Sequence, residues 1–524
     1  MAILVTDPIA QDGIDYLQQH TKVDVRLGLS RDELCAILPS YDGLVVRSET
    51  KVTAEVIAAG GKLLVIGRAG VGVDNIDVDA ATQRGIVVVN APAGNTIAVA
   101  EHTIGLILAA ARNIPQAAAA LAAGRWERSK FMGVEIRSKT LGVLGLGRIG
   151  TEVAKRAQGF EMTVIGYDPY VSEEHANRIG VRIVDLDTLI READFLTIHV
   201  PATNQTDSLI GLSQLEQMKP TAWIVNCARG GIVSETDLLL ALDRGVIAGA
   251  ALDVFAVEPA GENPLVRHPK VVATPHLAAS TQEAQIIVAV QLAEQVVDVL
   301  EGRPATFAVN APPISAEAAR ALGPFVVLAQ MLGRLATQLA EGQMRSIEID
   351  YSGEIAEFDT APLRAAVIRG LLEPISEETV TVVNATMVAR SRGLGVAERK
   401  SNAPDGYANL ISVRLATERG SSVVAGTIIA DEARVVLIDE HTVNLVPSEG
   451  YVILTRHIDR PGVIGHVGTL LGESDINISS MQVGRERARG PALMLLSVDD
   501  PVPAETLQRI REVDGLEYVK VVRI

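Results

Sequence analysis

An arginine, a glutamate and a histidine near the middle of the chain each follow an aliphatic segment with the pattern of a β-strand. Arg229 lies in IVNCARGG, Glu258 in LDVFAVEP and His276 in VVATPHLAAST. Since α/β sheets place their ligands at the carboxyl ends of parallel strands, we expect these side chains to meet. There His276 could exchange a proton, Glu258 could orient its imidazole, and Arg229 could clamp a carboxylate with two hydrogen bonds.

This interpretation depends on the combination, because each residue taken singly has an ordinary structural explanation. His276 could be a loop histidine, Glu258 a surface acid and Arg229 a structural salt-bridge partner. The sequence holds nine histidines. Six of them lie in helical, loop or C-terminal contexts away from strand ends: His20, His175, His268, His441, His457 and His466. The candidates that remain for proton exchange are His102, His199 and His276.

A glycine-rich turn precedes this set, at Gly145-Leu-Gly147-Arg-Ile-Gly150, between the strand pattern TLGVL and the helical pattern TEVAKRAQGF. The first glycine permits a tight turn, the second lets the backbone approach a pyrophosphate, and the third allows close packing of helix on sheet. The next strand pattern, MTVIGYDP, ends at Asp168. An acid there accepts hydrogen bonds from both ribose hydroxyls and repels a 2′-phosphate, so the segment predicts NAD rather than NADP. The alternative is a glycine-rich turn followed by a solvated aspartate.

The size and charge of the chain restrict its function classes. With 524 residues it is too long for one hydrophobic core, and three or four domains are expected at about 100–200 residues each. A formal net charge of −17 argues against a protein that binds nucleic acid. An anionic ligand would therefore need a local cluster of arginine or lysine.

Cysteine usage and hydropathy indicate a reducing, aqueous environment. The only two cysteines, Cys35 and Cys227, lie far apart and have no metal-site spacing, so neither a disulfide nor a metal is expected. The apolar run at the N-terminus is short, lacks a basic leader and resembles a first strand rather than a signal peptide. No segment reaches the roughly 18 uninterrupted apolar residues of a membrane span. We expect a cytoplasmic protein without membrane contact.

Strand and helix patterns alternate over residues 2–92 and again over 140–281, which predicts parallel sheets covered by helices on both faces. An amphipathic helix is predicted between residues 283 and 302. Its buried face is expected to consist of Ile286, Val290, Ala293, Val297 and Leu300. A Pro- and Ala-rich passage after it marks a domain boundary. The last ~75 residues have the order β-α-β-β-α-β, which is typical of a ferredoxin-like fold.

The segments GLGRIG, NCARGG, VEP and PHLAAST resemble, in order and spacing, the signatures of the D-isomer-specific 2-hydroxyacid dehydrogenases over roughly the first 310 residues. This resemblance implies doubly wound parallel-sheet substrate and Rossmann NAD-binding domains, the former discontinuous (1–97 and 283–310) around the latter (98–282). It further implies cofactor contacts at Gly145, Gly147, Arg148, Ile149, Gly150, Asp168, Pro201, Thr206, Cys227, Ala228, Arg229, Asp253, His276 and Ala278.

The segments VVRSETKVT, GRAGVGVDN and APAGNT resemble the substrate loops of family members that act on 3-phosphoglycerate. The substrate-binding residues implied are Arg47, Ser48, Arg68, Gly70, Asn95, Arg229 and His276. The segment GRWERSKFMG also resembles those members, and its Arg128 and Lys130 are expected to contribute to a neighbouring subunit's site. Asn95 alternatively caps the following helix, and Arg47 alternatively is a surface residue on a turn.

The C-terminal segment HIDRPGVIGHVGTLLGESDINI resembles an ACT domain (450–524), preceded by the α+β intervening domain (311–447) of the long form of these enzymes. By that resemblance His457, Asp459 and Asn477 would bind an effector, with L-serine the expected ligand. The alternative is an ACT domain that only dimerises. The resemblance also implies a homotetramer.

The activity implied is the NAD-dependent oxidation of D-3-phosphoglycerate to 3-phosphohydroxypyruvate, the first step of serine biosynthesis. Two alternatives remain at this point. One is another D-2-hydroxyacid dehydrogenase, such as a hydroxypyruvate or 2-oxoglutarate reductase. The other is a non-enzymatic NAD-sensing protein of the corepressor type, against which the ACT-like unit and the absence of basic interaction tails argue.

Overall fold

The computed structural model describes residues 1–303, 305–311, 316–376, 380–402, 406–446, 450–485 and 487–523. Their strands form four sheets, two of them entirely parallel. The predicted fold class is confirmed: two α/β units with parallel sheets are followed by a mixed sheet and an antiparallel one.

The first sheet contains five short strands in the order β2-β1-β3-β4-β5. These are β1 (Ala2–Val5), β2 (Lys22–Val25), β3 (Gly43–Val46), β4 (Val65–Arg68) and β5 (Val87–Asn90). The connecting helices are α1 (Gln11–His20), α2 (Arg31–Ile37), α3 (Ala54–Ala59) and α4 (Val78–Gln83). Alternate residues of the strands enter separate cores on the two faces, Ile3 on one and Leu4 on the other. Burial on both faces explains why β1 (AILV) and β3 (GLVV) carry no polar side chain, whereas the edge strand β2 (KVDV) does.

The second sheet contains seven parallel strands in the order β12-β11-β10-β9-β6-β7-β8. They are β6 (Thr140–Leu144), β7 (Thr163–Tyr167), β8 (Arg182–Ile183), β9 (Phe195–Ile198), β10 (Trp223–Asn226), β11 (Gly249–Leu252) and β12 (Val271–Ala273). Its helices are α5 (Thr96–Arg112), α6 (Ile114–Ala122), α7 (Arg148–Gly159), α8 (Glu173–Arg178), α9 (Leu186–Glu192), α10 (Leu212–Leu215) and α11 (Glu235–Arg244). The strand order reverses between β6 and β9, which is the crevice where such sheets bind ligands.

Within the described ranges, no single helix combines the length and apolar character needed to cross a membrane. The helices α5 and α6 are long and apolar enough only when taken together, and they are bent by 65° relative to one another.

The chain returns to the first sheet through α12 (Gln282–Leu300), which packs on α1, β4 and β5. The two helices are so close that a Cβ on Gly13 would lie 2.7 Å from the Cβ of Ala289. The predicted buried face was wrong at its first position, because Ile286 is 41% exposed. The buried stripe instead includes Ala284, Val288 and Leu292.

The C-terminal elements form a mixed sheet of order β14-β13-β15-β16-β17-β18 and an antiparallel sheet of order β20-β21-β19-β22. The first comprises α13 (Ala316–Leu339), β13 (Met344–Gly353), α14 (Ala361–Leu372), α15 (Ala385–Ser391), β14 (Gly395–Ser401), β15 (Asn409–Thr417), β16 (Gly420–Ile429), β17 (Glu432–Ile438) and β18 (His441–Leu445). The second comprises β19 (Tyr451–Ile458), α16 (Val463–Glu473), β20 (Ile478–Arg485), β21 (Pro491–Val498), α17 (Ala504–Arg511) and β22 (Leu516–Arg523). The predicted β-α-β-β-α-β order is confirmed.

These two C-terminal sheets share a hydrophobic core. One face of the antiparallel sheet, including Leu454 and Leu495, packs into the same cluster as Leu328 and Leu332 of α13. The two units are therefore joined by apolar burial rather than by a linker only. The predicted domain boundary at residue 447 lies outside the described residues.

Leu454→Ala should destabilise the protein by about 2–5 kcal/mol, since it leaves a cavity in this shared core. Thermal unfolding followed by circular dichroism would measure the effect. The matched control is Ile464→Ala on α16, whose side chain is 40% exposed and which should change the stability by less than about 0.5 kcal/mol. Equal effects of the two substitutions would contradict the shared core.

Candidate active site

A cleft of about 970 Å³ is lined by residues that follow strands of both parallel sheets. It brings together all seven predicted substrate-binding residues and the third member of the proposed catalytic set: Arg47, Ser48, Arg68, Gly70, Asn95, Arg229, His276 and Glu258. These positions are spread over more than 200 residues of sequence. They come together because loops that follow strands of both sheets line the same cleft.

His276 and Glu258 form a direct pair in this cleft. The imidazole Nδ1 lies 2.8 Å from Oε2 of Glu258, and the other carboxylate oxygen accepts a hydrogen bond from the backbone N–H of Phe255 at 3.1 Å. The two side chains are 50% and 38% exposed, so both can reach a molecule in the cleft. With Nδ1 engaged, Nε2 is the nitrogen available for proton exchange.

The loop that carries His276 is held in place by hydrogen bonds that it donates to Asp253. The backbone of His276 has a left-handed φ of +54°, and its N–H donates to the carbonyl oxygen of Asp253 at 2.9 Å. The buried carboxylate of Asp253 accepts hydrogen bonds from the N–H groups of Leu277 (2.8 Å) and Ala278 (2.9 Å) and from the hydroxyl of Thr274 (2.6 Å). Burial raises the pKa of Asp253, but these hydrogen bonds outweigh it and the pKa is lowered overall.

The other two candidate histidines do not line the cleft. Burial lowers the pKa of His199 to about 3, and its Nε2 pairs with the hydroxyl of Thr197 at 2.9 Å. The Nε2 of His102 lies 3.3 Å from the carboxylate of Asp253, which in turn binds the loop that carries His276. Among the three, only His276 therefore combines access to the cleft with an acidic partner.

Arg229 follows β10 in a turn that Asn226 braces. The Asn226 amide donates to the carbonyl oxygen of Arg229 (2.9 Å) and accepts from the N–H of Ala228 (3.0 Å). The guanidinium donates through Nη1 to the carbonyl oxygen of Ala228 at 2.7 Å. Its Nε lies 3.5 Å from the carboxylate of Asp74, which belongs to the other half of the cleft.

Two residues that the sequence analysis did not identify hold the substrate loops. Asp7, directly after β1, accepts hydrogen bonds from the N–H groups of Arg47 (2.6 Å) and Glu49 (3.1 Å). Asn75 accepts from Nε of Arg68 (2.7 Å) and donates to the carbonyl oxygen of Arg47 (2.9 Å). The available signal for Asp7 was its place just past a strand. Burial lowers the pKa of Arg68.

The glycine-rich turn has the geometry that a dinucleotide requires. Gly145 has a φ of +95°, and a Cβ on Gly150 would overlap the carbonyl oxygen of Gly145. A Cβ on Gly147, at the start of the 12-residue helix α7, would meet no protein atom within 4 Å, which leaves this side of the turn open to a phosphate. The carboxylate of Asp168 accepts a hydrogen bond from the N–H of Leu146 at 2.9 Å and so lies against the turn. These residues fit NAD.

The remaining predicted cofactor residues follow strands of the second sheet and do not line the cleft of the substrate residues. In the loop after β9 the hydroxyl of Thr206 donates to the carbonyl oxygen of Pro201 at 2.6 Å. Burial raises the pKa of the Cys227 thiol to about 12, and this side chain points into the core, so only its backbone can reach a ligand. The guanidinium carbon of Arg148 lies 5.8 Å from the centre of the Phe307 ring. Of the other predicted contacts, Ile149 and Ala228 are half-buried and Asp253 and Ala278 are buried.

Two of the three predicted effector residues are already paired within the chain. The Asp459 carboxylate accepts a hydrogen bond from Arg485 at 2.6 Å, and Asn477 donates to Asp499 at 2.7 Å. His457 is 2% exposed, burial lowers its pKa, and its Nδ1 has no hydrogen-bond partner among the described residues. A ligand at Asp459 and Asn477 would have to exchange with existing pairs.

Three family models match the chain in sequence order. The D-isomer specific 2-hydroxyacid dehydrogenase NAD-binding domain covers residues 104–278, the D-3-phosphoglycerate dehydrogenase intervening domain 321–439, and the ACT domain 451–515. Among solved structures, a protein from Thermus thermophilus is 34% identical with a TM-score of 0.55, covering 59% of this chain and 100% of that chain. The D-lactate dehydrogenase from Aquifex aeolicus, complexed with NAD and lactic acid, is 26% identical with a TM-score of 0.53, covering 60% and 100%.

Relatives of known name match over essentially the whole length. The D-3-phosphoglycerate dehydrogenase of Archaeoglobus fulgidus is 48% identical over 98% of this chain and 98% of its own. That of Synechocystis is 47% identical over 100% of this chain and 94% of its own, and that of Bacillus subtilis 40% identical over 99% of both. The chain therefore belongs to the D-3-phosphoglycerate dehydrogenase family and is an NAD-dependent oxidoreductase with the intervening and ACT domains of the long form.

Proposed function

We propose that the chain oxidises D-3-phosphoglycerate to 3-phosphohydroxypyruvate with NAD, at the cleft that holds His276 and Glu258. The observation that carries this proposal is the 2.8 Å pair of those two residues in a cleft that also presents Arg47, Arg68 and Arg229. A proton acceptor beside three cations suits a hydroxy acid that bears both a carboxylate and a phosphate. The reaction is the first step of serine biosynthesis.

Each member of the set has one role in this mechanism. When bound, NAD supplies the acceptor for the hydride from C2 of the substrate. Nε2 of His276 takes the proton of the C2 hydroxyl, and the carboxylate of Glu258 stabilises the positive imidazolium that results. Arg229 holds the substrate carboxylate with two hydrogen bonds and thereby presents C2 to the histidine.

The phosphate end is assigned to the half of the cleft that follows the first sheet. Arg47 and Arg68 supply positive charge there, while Ser48, Gly70 and Asn95 supply short polar or backbone groups. Arg47 donates its backbone N–H to Asp7, and Arg68 donates its Nε to Asn75. These hydrogen bonds hold the two arginines in position. A phosphate therefore gains from two guanidinium groups that an unphosphorylated hydroxy acid would not use.

A homotetramer is proposed in which the segment around Arg128 and Lys130 meets a neighbouring subunit. Both residues are exposed in this chain, and Trp126 and Met132 beside them are 77% and 83% exposed. Apolar side chains exposed to this extent favour a protein partner. The two cations would then add to the phosphate end of the partner's cleft.

Several finer assignments extend the proposal. L-serine would bind the ACT domain (450–524) at His457, Asp459 and Asn477, and the intervening domain would span 311–447. The substrate domain would span 1–97 and 283–310 and the NAD domain 98–282, in agreement with the membership of the first two sheets. The cytoplasm is the proposed location. No observation favours an unphosphorylated substrate or a non-enzymatic NAD sensor.

His276→Ala should lower kcat by about 10²–10⁴-fold, because it removes the proton acceptor while the fold is retained. The rate of NADH formation with D-3-phosphoglycerate, followed by absorbance, measures this. The matched control is His175→Ala on α8, outside the cleft, which should keep wild-type kcat. A His276→Ala variant that retains most of its activity would refute the assigned role.

Arg47→Ala should lower kcat/KM for D-3-phosphoglycerate by about 10–100-fold through loss of a charge-assisted hydrogen bond to phosphate. The low activity with D-glycerate, which lacks the phosphate, should change by less than about threefold. Arg26→Ala, an exposed arginine outside the cleft, is the control for the change in charge. Equal losses with both substrates would show that Arg47 does not recognise phosphate.

Asp168→Ala should raise the ratio of kcat/KM with NADP to that with NAD by at least about tenfold, since it removes the charge that repels a 2′-phosphate. Initial rates at varied cofactor concentration give the ratio. Asp187→Ala, on the exposed side of α9, removes the same charge away from the turn and serves as control. An unchanged cofactor preference in Asp168→Ala would remove Asp168 from the ribose site.

A further inference from the structure

Asp74 faces the proposed carboxylate clamp from the opposite half of the cleft. Its carboxylate Oδ2 lies 3.5 Å from Nε of Arg229. Asp74 belongs to the loop between β4 and α4 of the first sheet, whereas Arg229 follows β10 of the second. The ion pair therefore joins the two units whose cleft the substrate must enter.

The approach of the two side chains depends on a residue without a side chain. A Cβ on Gly72 would overlap Nη2 of Arg229 and would lie 2.5 Å from Oδ2 of Asp74. A larger residue at this position would displace one or both of these side-chain ends. The absence of a side chain at Gly72 therefore leaves room for the contact between Asp74 and Arg229.

Asp74 is also an anion placed among the cations of the cleft. Burial lowers the pKa of Arg68, the nearby Asp74 opposes that shift, and Arg229 and Arg47 reinforce it, so the four charges interact with one another. The side chain of Asp74 is 67% exposed, so it can leave Arg229 without being buried elsewhere. Arg229 already donates through Nη1 to Ala228, which leaves its Nε edge for a carboxylate.

We propose that Asp74 is a positioning residue that occupies the Nε side of Arg229 in place of the substrate carboxylate and is displaced by it. The inference rests on the proposed role of Arg229 as the carboxylate clamp. Two carboxylates on one guanidinium edge repel one another, so the substrate must break the Asp74 pair in order to bind. Asp74 therefore keeps the guanidinium aligned at a cost in substrate affinity.

Asp74→Asn should lower the KM for D-3-phosphoglycerate by about two- to fivefold, the range expected for loss of a competing, partly exposed ion pair. The kcat should change by less than about twofold, because the bound substrate has already displaced Asp74 from Arg229 before the chemical step. Asp74→Glu should restore a KM close to wild type, because the charge returns. The control is Asp79→Asn, which removes one exposed charge on α4 outside the cleft and should leave KM unchanged.

Equilibrium binding of oxalate to the NADH complex, measured by NADH fluorescence, tests the same point without turnover. Oxalate offers a carboxylate to arginine and is not reduced by NADH. Tighter oxalate binding in Asp74→Asn but not in Asp79→Asn supports the displacement, even if D-3-phosphoglycerate proves not to be the substrate. Unchanged or weaker binding of both ligands, or equal effects in the two variants, would overturn it.

Discussion

The hydrogen bonds to the buried carboxylate of Asp253 determine the geometry of the proposed catalytic residues. A charge removed from water must be compensated, and here the hydroxyl of Thr274 and the N–H groups of Leu277 and Ala278 donate to it. These donors belong to the chain on either side of His276, so satisfying the carboxylate forces that loop into one conformation. The left-handed backbone of His276 is a consequence, and it presents the imidazole to Glu258.

On the other side of the cleft, the charged side chains that must be held in place are cationic rather than anionic. The chain has a net charge of −17, yet three arginines converge on one cavity. Asp7 and Asn75 hold these arginines in place, because both bond the backbone of Arg47 and Asn75 also accepts a hydrogen bond from Nε of Arg68. Local placement of charge, rather than net charge, thus determines which ligand the protein attracts.

The features predicted from sequence are those that local patterns encode. The turn at Gly145 and the triad of Arg229, Glu258 and His276 follow directly from motif and strand ends, and the structure brings the triad to one cleft. The role of Asp7 was not predictable in this way, because its partners lie 40 and 42 residues away and depend on the pairing of β1 with β3. The exposed Ile286 shows a similar limit: helical periodicity predicts a buried face but not which neighbour covers it. The apolar core shared by the two C-terminal sheets likewise depends on packing between units that the sequence analysis treated as separate.

We infer that the cleft selects a phosphorylated D-2-hydroxy acid. The rate of NADH formation by the purified protein with D-3-phosphoglycerate, D-glycerate and D-lactate at equal concentrations tests this selectivity. We expect rapid turnover of the phosphorylated substrate and much slower turnover of the other two. Comparable turnover of all three, or turnover of D-lactate without turnover of D-3-phosphoglycerate, would contradict it.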